Sequence, residues 1–214
     1  MEEIARILND DTLINIALTY QGDMNQRIKN YSEAIAYLEA AKDTTMQADS
    51  AALGNGMQLL GRAYLRVKNM SGFEMAMGVS EELAYTVDPE ESSTRGLYNL
   101  GTVYEEYGRS YADLGQMDKA LEYLRKARAH LPNTPVWQLL VTTAEAIALV
   151  KGGEIQAGAE IAAKAAQECY TTGNQRHLDR IYIVRQHLDK ITRQANAASA
   201  LITEALDQGE MSEY

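Results

Sequence analysis

Residues 101–134 read GTVYEEYGRSYADLGQMDKALEYLRKARAHLPNT, and this stretch decides the fold. In its first half, three tyrosines and one glycine lie at positions i, i+3, i+4 and i+7, which place them on one face of a helix. These residues are Tyr104, Tyr107, Gly108 and Tyr111. Gly108 and Ala120 are small enough for two helix backbones to approach where they cross. Pro132 cannot continue a helix and ends the second one, so the stretch predicts a closely packed helical pair.

Counted from Gly101, the large, small and proline positions resemble the tetratricopeptide repeat, a helix–turn–helix unit of about 34 residues. The matching positions are Tyr104, Tyr107, Gly108, Tyr111, Gly115, Ala120, Leu124, Ala127 and Pro132. Tyr104 stands where the repeat usually has Trp, and Leu124 stands where it usually has an aromatic residue. The resemblance implies a fold, but it does not name a ligand, because function lies in sites grafted onto a fold.

The rest of the chain extends this pattern in both directions. We expect an all-α fold, a right-handed superhelical array of about ten helices in a single domain over residues 1–214. The expected repeats cover residues 15–48, 54–87, 101–134 and 139–172, with a helical cap over residues 175–207. An apolar stripe at the start of the chain predicts a short opening helix over residues 1–9, and the cap is expected to contain two helices.

Two local details of the array carry separate expectations. The sequence Asp88-Pro89-Glu90-Glu91 is typical of a helix start, so we expect one helix from Pro89 through Gly96 and Gly101 to about Leu114. In the second repeat Phe73 occupies the position of the small residue. Either that crossing is wider, or a register shift brings Ala76 to it.

Composition and charge narrow the class of protein. The net charge is −10, which argues against direct binding to nucleic acid or to an anionic membrane surface. Cys169 is the single cysteine, so no disulfide framework is expected. The first residues are acidic and unlike a signal peptide, and apolar runs are too short for a membrane helix. These features favour a cytoplasmic protein.

Catalytic patterns are weak. The three histidines are scattered and have no metal-ligand spacing to another His, Cys or acid. Glu105 and Glu106 are adjacent and are expected to point to different sides of their helix, which disfavours an acid/base pair. We therefore expect a protein that is not an enzyme and that has no cofactor and no metal.

The resemblance implies that the first helices of the repeats line a concave groove. Carried over by position, the groove candidates are Asn55, Gln58, Arg62, Arg66, Glu105, Arg109 and Asp113. Arg62 and Arg109 hold the same repeat position and are expected about 10 Å apart, suited to a ligand with two acidic or carbonyl groups. The alternative is that these arginines pair with Glu105 and Asp113, which would make them structural. Glu105 and Gln58 replace the Lys and Asn of the carboxylate clamp known in this family, so that clamp is not supported.

Residues 100–115 and 173–190 are similar to the repeat-containing carboxyl halves of bacterial helix-turn-helix transcription regulators. The resemblance implies a sensor that binds a protein or peptide within bacterial signalling or transcription regulation, and that can form a homodimer. This chain has no helix-turn-helix DNA-binding motif of its own, so no direct nucleic-acid binding and no membrane partner are expected. The alternative function is a dimerising scaffold whose groove stays empty.

Overall fold

The computed structural model describes residues 9–88, 93–94 and 96–211. Within this part of the chain the regular structure is entirely α-helical, which confirms the predicted fold class. The nine helices are α1 Asp11–Arg27, α2 Tyr31–Thr44, α3 Ser50–Arg66, α4 Met70–Ala84, α5 Leu100–Asp113, α6 Met117–His130, α7 Pro135–Gly152, α8 Ile155–Thr172 and α9 Gln175–Met211. None of these helices has the combination of length and hydrophobicity needed to cross a membrane.

Short polar side chains start several of the helices. The carboxylates of Asp10 and Asp49 accept hydrogen bonds from backbone N–H groups in the first turns of α1 and α3. Asn69 does the same for α4 through its side-chain oxygen. At the other end, Gly153 and Gly173 terminate α7 and α8 with positive φ angles of 97° and 67°.

Successive helices form hairpins, α1 with α2, α3 with α4, α5 with α6 and α7 with α8. The first helices of the hairpins contact one another in order, and α9 continues this row by packing on α7 and α8. Among the described helices, α2, α4, α6 and α8 do not contact one another. The first helices therefore form the inner row of the array, and the second helices form the outer row.

The predicted crossing of α5 and α6 is confirmed. A Cβ atom on Gly108 would lie 2.6 Å from Leu124 Cγ and 3.2 Å from the carbonyl oxygen of Ala120, so only glycine fits. Gly61 in α3 has the same relationship to α4, where a Cβ would lie 2.9 Å from Met77 Cγ and 3.6 Å from the carbonyl oxygen of Phe73. The backbone of Phe73 thus takes the crossing position without a register shift.

The side chain of Phe73 points away from that crossing and toward the next hairpin. Its ring packs edge-on against Tyr107 and Tyr111, with centroids 6.1 and 6.2 Å away. Tyr107 in turn stacks on Tyr123 of α6 at 4.6 Å. These tyrosines fill the space between α4, α5 and α6.

The prediction of one helix from Pro89 to Leu114 is wrong. Residues 96–99 are not helical, and α5 begins at Leu100. Gly96 adopts φ +73°, in the left-handed region, and Asn99 forms a capping box with Thr102 that starts the helix there. Pro89 and its neighbours at 90–92 lie outside the described residues.

Tyr98 shows why the chain leaves the helical path at this point. Its side chain is buried, and its hydroxyl donates to the carbonyl oxygen of Ser80 in α4. Gly54 makes room for the ring, because a Cβ there would lie 2.6 Å from Tyr98 Cε1. The non-helical residues between Gly96 and the cap at Asn99 place Tyr98 against α4. A continuous helix would have neither this turn nor the cap.

The expected two-helix cap is also wrong, because α9 runs without interruption from Gln175 to Met211. No proline occurs in this segment, and residues 190–206 are rich in good helix formers such as Ala, Leu, Gln and Arg. The expected helix over residues 1–9 falls almost wholly outside the described residues.

Candidate functional site

The candidate residues of α3 and α5 lie on the inner row, where the two helices contact each other. Arg62 of α3 grips Glu106 of α5 with two parallel hydrogen bonds, the one from Nε to Oε1 being 2.9 Å long. A second carboxylate, Asp23 of α1, lies 3.9 Å from the Arg62 guanidinium. Arg62 therefore bridges three helices and is fully engaged by acidic partners.

Glu106 is the residue that sequence reasoning missed. Its side chain is only 3% exposed. Burial alone would raise the pKa of Glu106, but attraction to Arg62 and then to Arg109 outweighs burial and lowers the pKa to about 2. The same pairing raises the pKa of Arg62 against the opposing effect of burial. The pair is held ionised on both sides.

Arg109 lies between two carboxylates. Its guanidinium is 3.9 Å from Glu105 and 3.6 Å from Glu106, and its side chain is 30% exposed. Among the described residues, the Arg109 side chain forms these two ion pairs and no hydrogen bond. Glu105 and Glu106 thus share Arg109 as a more distant cation, which lies four and three residues further along α5.

Glu105 has a stronger partner from the far end of the chain. Arg180 of α9 donates to Glu105 Oε1 at 2.7 Å and to the carbonyl oxygen of Leu140 in α7 at 3.2 Å. Burial lowers the pKa of Arg180, and the attraction of Glu105 opposes that effect. No local spacing in the sequence signals a partner 75 residues away.

Asp113 joins three helices at the carboxyl end of α5. Arg66 of α3 approaches it to 2.9 Å, and Lys151 of α7 pairs with its other oxygen. The side chain of Arg66 keeps 42% of its surface exposed. Of the alternative pairing of Arg62 and Arg109 with Glu105 and Asp113, the structure has only the ion pair of Arg109 with Glu105. Arg62 pairs with Glu106 instead, and Asp113 is taken by Arg66 and Lys151.

The two remaining candidates differ in their surroundings. Gln58 is buried and donates to the carbonyl oxygen of Thr102, so it joins α3 to α5. Asn55 lines a cavity of about 180 Å³ between α1 and α3, and its side chain has no hydrogen-bond partner among the described residues. The cavity is lined by Asn15, Ile16, Thr19, Tyr20, Asp23, Ala52, Asn55, Leu59 and Thr94. The volume of this cavity is comparable to that of a cavity that holds one benzene-sized group.

The charge of this surface differs from that of the whole chain. The described residues joined by these ion pairs include six basic and four acidic side chains. The basic ones are Arg27, Arg62, Arg66, Arg109, Lys151 and Arg180, and the acidic ones are Asp23, Glu105, Glu106 and Asp113. This network of ion pairs therefore holds two more basic than acidic side chains, on a chain of net charge −10.

Metal-ligating and thiol groups form no second site in the same part of the chain. No group of three or more His, Cys, Asp and Glu side chains in the described residues could hold a metal ion. Cys169 is buried between α8 and its neighbours, and burial raises the pKa of its thiol.

Comparison with known proteins extends these observations to the fold only. No family model matches the chain, and no curated protein is significantly similar to it. Among solved structures, a putative kinesin light chain with nearly identical TPR-like repeats from Podosopora anserina matches 83% of this chain and 96% of its own, with 19% identity and a TM-score of 0.50. A variant of that protein with one substitution matches with 18% identity, 83% and 95% coverage and a TM-score of 0.49. This chain therefore has the fold of a TPR-like helical repeat array.

Proposed function

We propose that this chain is a non-catalytic module that binds an extended acidic segment of a protein or peptide on its inner row. The observation that carries the proposal is Arg109, a partly exposed guanidinium that lies 3.6 Å or more from its acidic neighbours. A ligand carboxylate can form the close, charge-assisted hydrogen bonds that Glu105 and Glu106 leave unmade.

The seven groove candidates then divide into two roles. Asn55, Arg66 and Arg109 are the ligand contacts, because each has exposed or unpartnered polar atoms. Gln58, Arg62, Glu105 and Asp113 support them, because each joins two or more neighbouring helices. The cavity beside Asn55 accommodates one side chain of the bound segment.

The biological setting is also part of the proposal. The resemblance of residues 100–115 and 173–190 to bacterial regulators supports a cytoplasmic sensor or interaction domain in bacterial signalling or transcription regulation. We take residues 1–214 as one repeat domain with the repeats at 15–48, 54–87, 101–134 and 139–172. The second candidate function, a dimerising scaffold, is supported by the length of α9 beyond its neighbours.

The test uses an array of short synthetic peptides in which the number and spacing of Asp and Glu vary. We expect the full chain to bind acidic peptides in preference to neutral and basic ones of the same length. Binding should weaken as salt is raised, because exposed charges are screened. Equal binding of acidic, neutral and basic peptides, or none at all, would reject the groove and leave the scaffold.

A further inference from the structure

The last helix is twice as long as the helices on which it packs. α9 has 37 residues, or roughly 55 Å, whereas α7 and α8 have 18 residues each, or roughly 27 Å. Among the described helices, the backbone of α9 packs on α7 and α8, and Arg180 in its first half also reaches Glu105 of α5. Its second half therefore extends beyond the body of the protein.

One apolar stripe runs through both halves of α9. In the first half, Ile181, Val184, Leu188 and Ile191 pack against residues of α7 and α8, and their spacing alternates between three and four. The same alternation continues at Ala195, Ala198 and Ile202. Here residues 192–203 are all exposed, and Ile202 has 63% of its surface in solvent.

An uncovered stripe of this kind is unfavourable for an isolated helix. Most of the stability of a helix in a protein comes from the packing of its apolar face, and the second half of α9 has no such packing within one copy. The 3–4 spacing is the pattern by which two helices pack side by side, and the small side chains of Ala195 and Ala198 allow a close approach.

We propose that the second half of α9 pairs with the same segment of a second copy of this chain, in antiparallel orientation. The body of each copy excludes a parallel pair, because α7 and α8 already occupy the stripe of the first half. An antiparallel pair that overlaps only beyond Ile191 places the two bodies at opposite ends. This inference is independent of any ligand on the inner row.

The stripe also determines the register of the pair. With residue 200 at the two-fold axis, Ala198 of one copy lies opposite Ile202 of the second copy, so a small side chain meets a large one in both central layers. The residue types favour the same direction, since the sequence is basic at Lys190 and Arg193 and acidic at Glu204, Asp207 and Glu210. In this register residue 193 of one copy is level with residue 207 of the second copy, so antiparallel pairing brings a basic position to an acidic one.

The first experiment measures the solution mass of the full chain as a function of concentration. We expect a mass twice that of the 23.7 kDa chain, and we expect Ala198→Glu to raise the dimer dissociation constant by about 100-fold, because it places a charge inside the pair. Ala200→Glu is the matched control, since it makes the same change on the opposite side of the helix and should leave the constant within about 3-fold. Both sites are exposed, so neither change disturbs the body.

Disulfide cross-linking tests the direction. The native Cys169 is fully buried, so introduced thiols react alone. A mixture of the Ala198→Cys and Ile202→Cys variants should cross-link to mixed dimers faster than either variant links to itself. A monomer at every concentration, an equal effect of the two Glu substitutions, or preferential self-linking of each Cys variant would each overturn the proposal.

Discussion

Arg180 of α9 and Glu105 of α5 are 75 residues apart in the chain, yet their side chains meet at 2.7 Å. Between them lies α7, whose Leu140 carbonyl oxygen accepts a second hydrogen bond from the same guanidinium. One side chain therefore connects three helices of the inner row and attaches the first half of α9 to the centre of the array.

Removal of this connection should loosen the start of α9. We expect Arg180→Ala to increase amide hydrogen exchange in residues 175–191, because Glu105 would be left buried with only the more distant Arg109 as a partner. Arg185→Ala, an exposed site on the same helix, is the control. Equal exchange in the two variants would show that the connection has no role in holding α9.

The crossing of α5 and α6 should not tolerate a larger side chain. We expect Ala120→Leu to lower the free energy of unfolding by about 1–3 kcal/mol, since Ala120 is fully buried against α5. Ala129→Leu makes the same change at an exposed site of α6 and should have little effect. Urea unfolding of both variants measures the difference, and wild-type stability of Ala120→Leu would contradict the packing.

The pair of Arg62 and Glu106 should contribute strongly to stability. Glu106→Gln leaves Arg62 without its close carboxylate, and we expect a loss of roughly 2–3 kcal/mol in the free energy of unfolding. This loss is smaller than the loss expected for a fully buried pair, because the Arg62 side chain is 25% exposed. Asp23, 3.9 Å away, also remains as a second carboxylate partner. Glu122→Gln, in an exposed pair with Lys126, is the control and should change stability far less. Similar losses in the two variants, measured by urea unfolding, would show that Glu106 is an ordinary surface acid.

Glu106 should also make the stability depend on pH. Its pKa falls from the usual 4.5 to about 2 in the folded chain, so the unfolded state binds more protons on acidification. The contribution is complete above a pH of 4.5 and is lost as the pH falls from 4.5 toward 2. We expect the free energy of unfolding to decrease less between about pH 6 and about pH 3 in Glu106→Gln than in the wild type. The same decrease in both proteins would exclude Glu106 as a source of the pH dependence.

The binding proposal gives a prediction about Arg109 alone. For an acidic peptide selected from the array, Arg109→Ala should weaken binding by roughly 1.5–3 kcal/mol, since hydrogen bonds to charged groups contribute that much. Arg125→Ala removes the same charge from the exposed side of α6 and should change affinity much less. Titration calorimetry measures both, and an unchanged affinity in Arg109→Ala with the fold intact would favour the scaffold.

The sequence was sufficient where structure depends on neighbours at short range. The offsets between Gly108, Ala120 and Leu124 predict their contact correctly, because one hairpin contains all three. The loop before α5 was missed because glycine is compatible with both the helical and the left-handed conformation at Gly96. The choice depends on Tyr98, whose partner Ser80 belongs to another hairpin.

The same limit applies to the candidate site. Repeat positions predicted that Arg62 and Arg109 belong to one surface, but they did not predict which acids would reach them. Adjacent residues on a helix differ by about 100° in direction, and it is Glu106 that faces Arg62 of α3, whereas Glu105 meets Arg180 of α9. Arg180 reaches the site only because α9 continues the inner row.

The inner row is cross-braced by ion pairs, whereas the helices of the outer row do not touch one another among the described residues. The ion pairs that join neighbouring hairpins therefore lie on one side of the array, along the inner row. Flattening the curve stretches bonds such as Arg62–Glu106 and Arg66–Asp113, while tightening it meets only packing at the crossings. Salt screens the more exposed of these ion pairs first, so we expect higher ionic strength to let the inner row open before it disturbs the crossings.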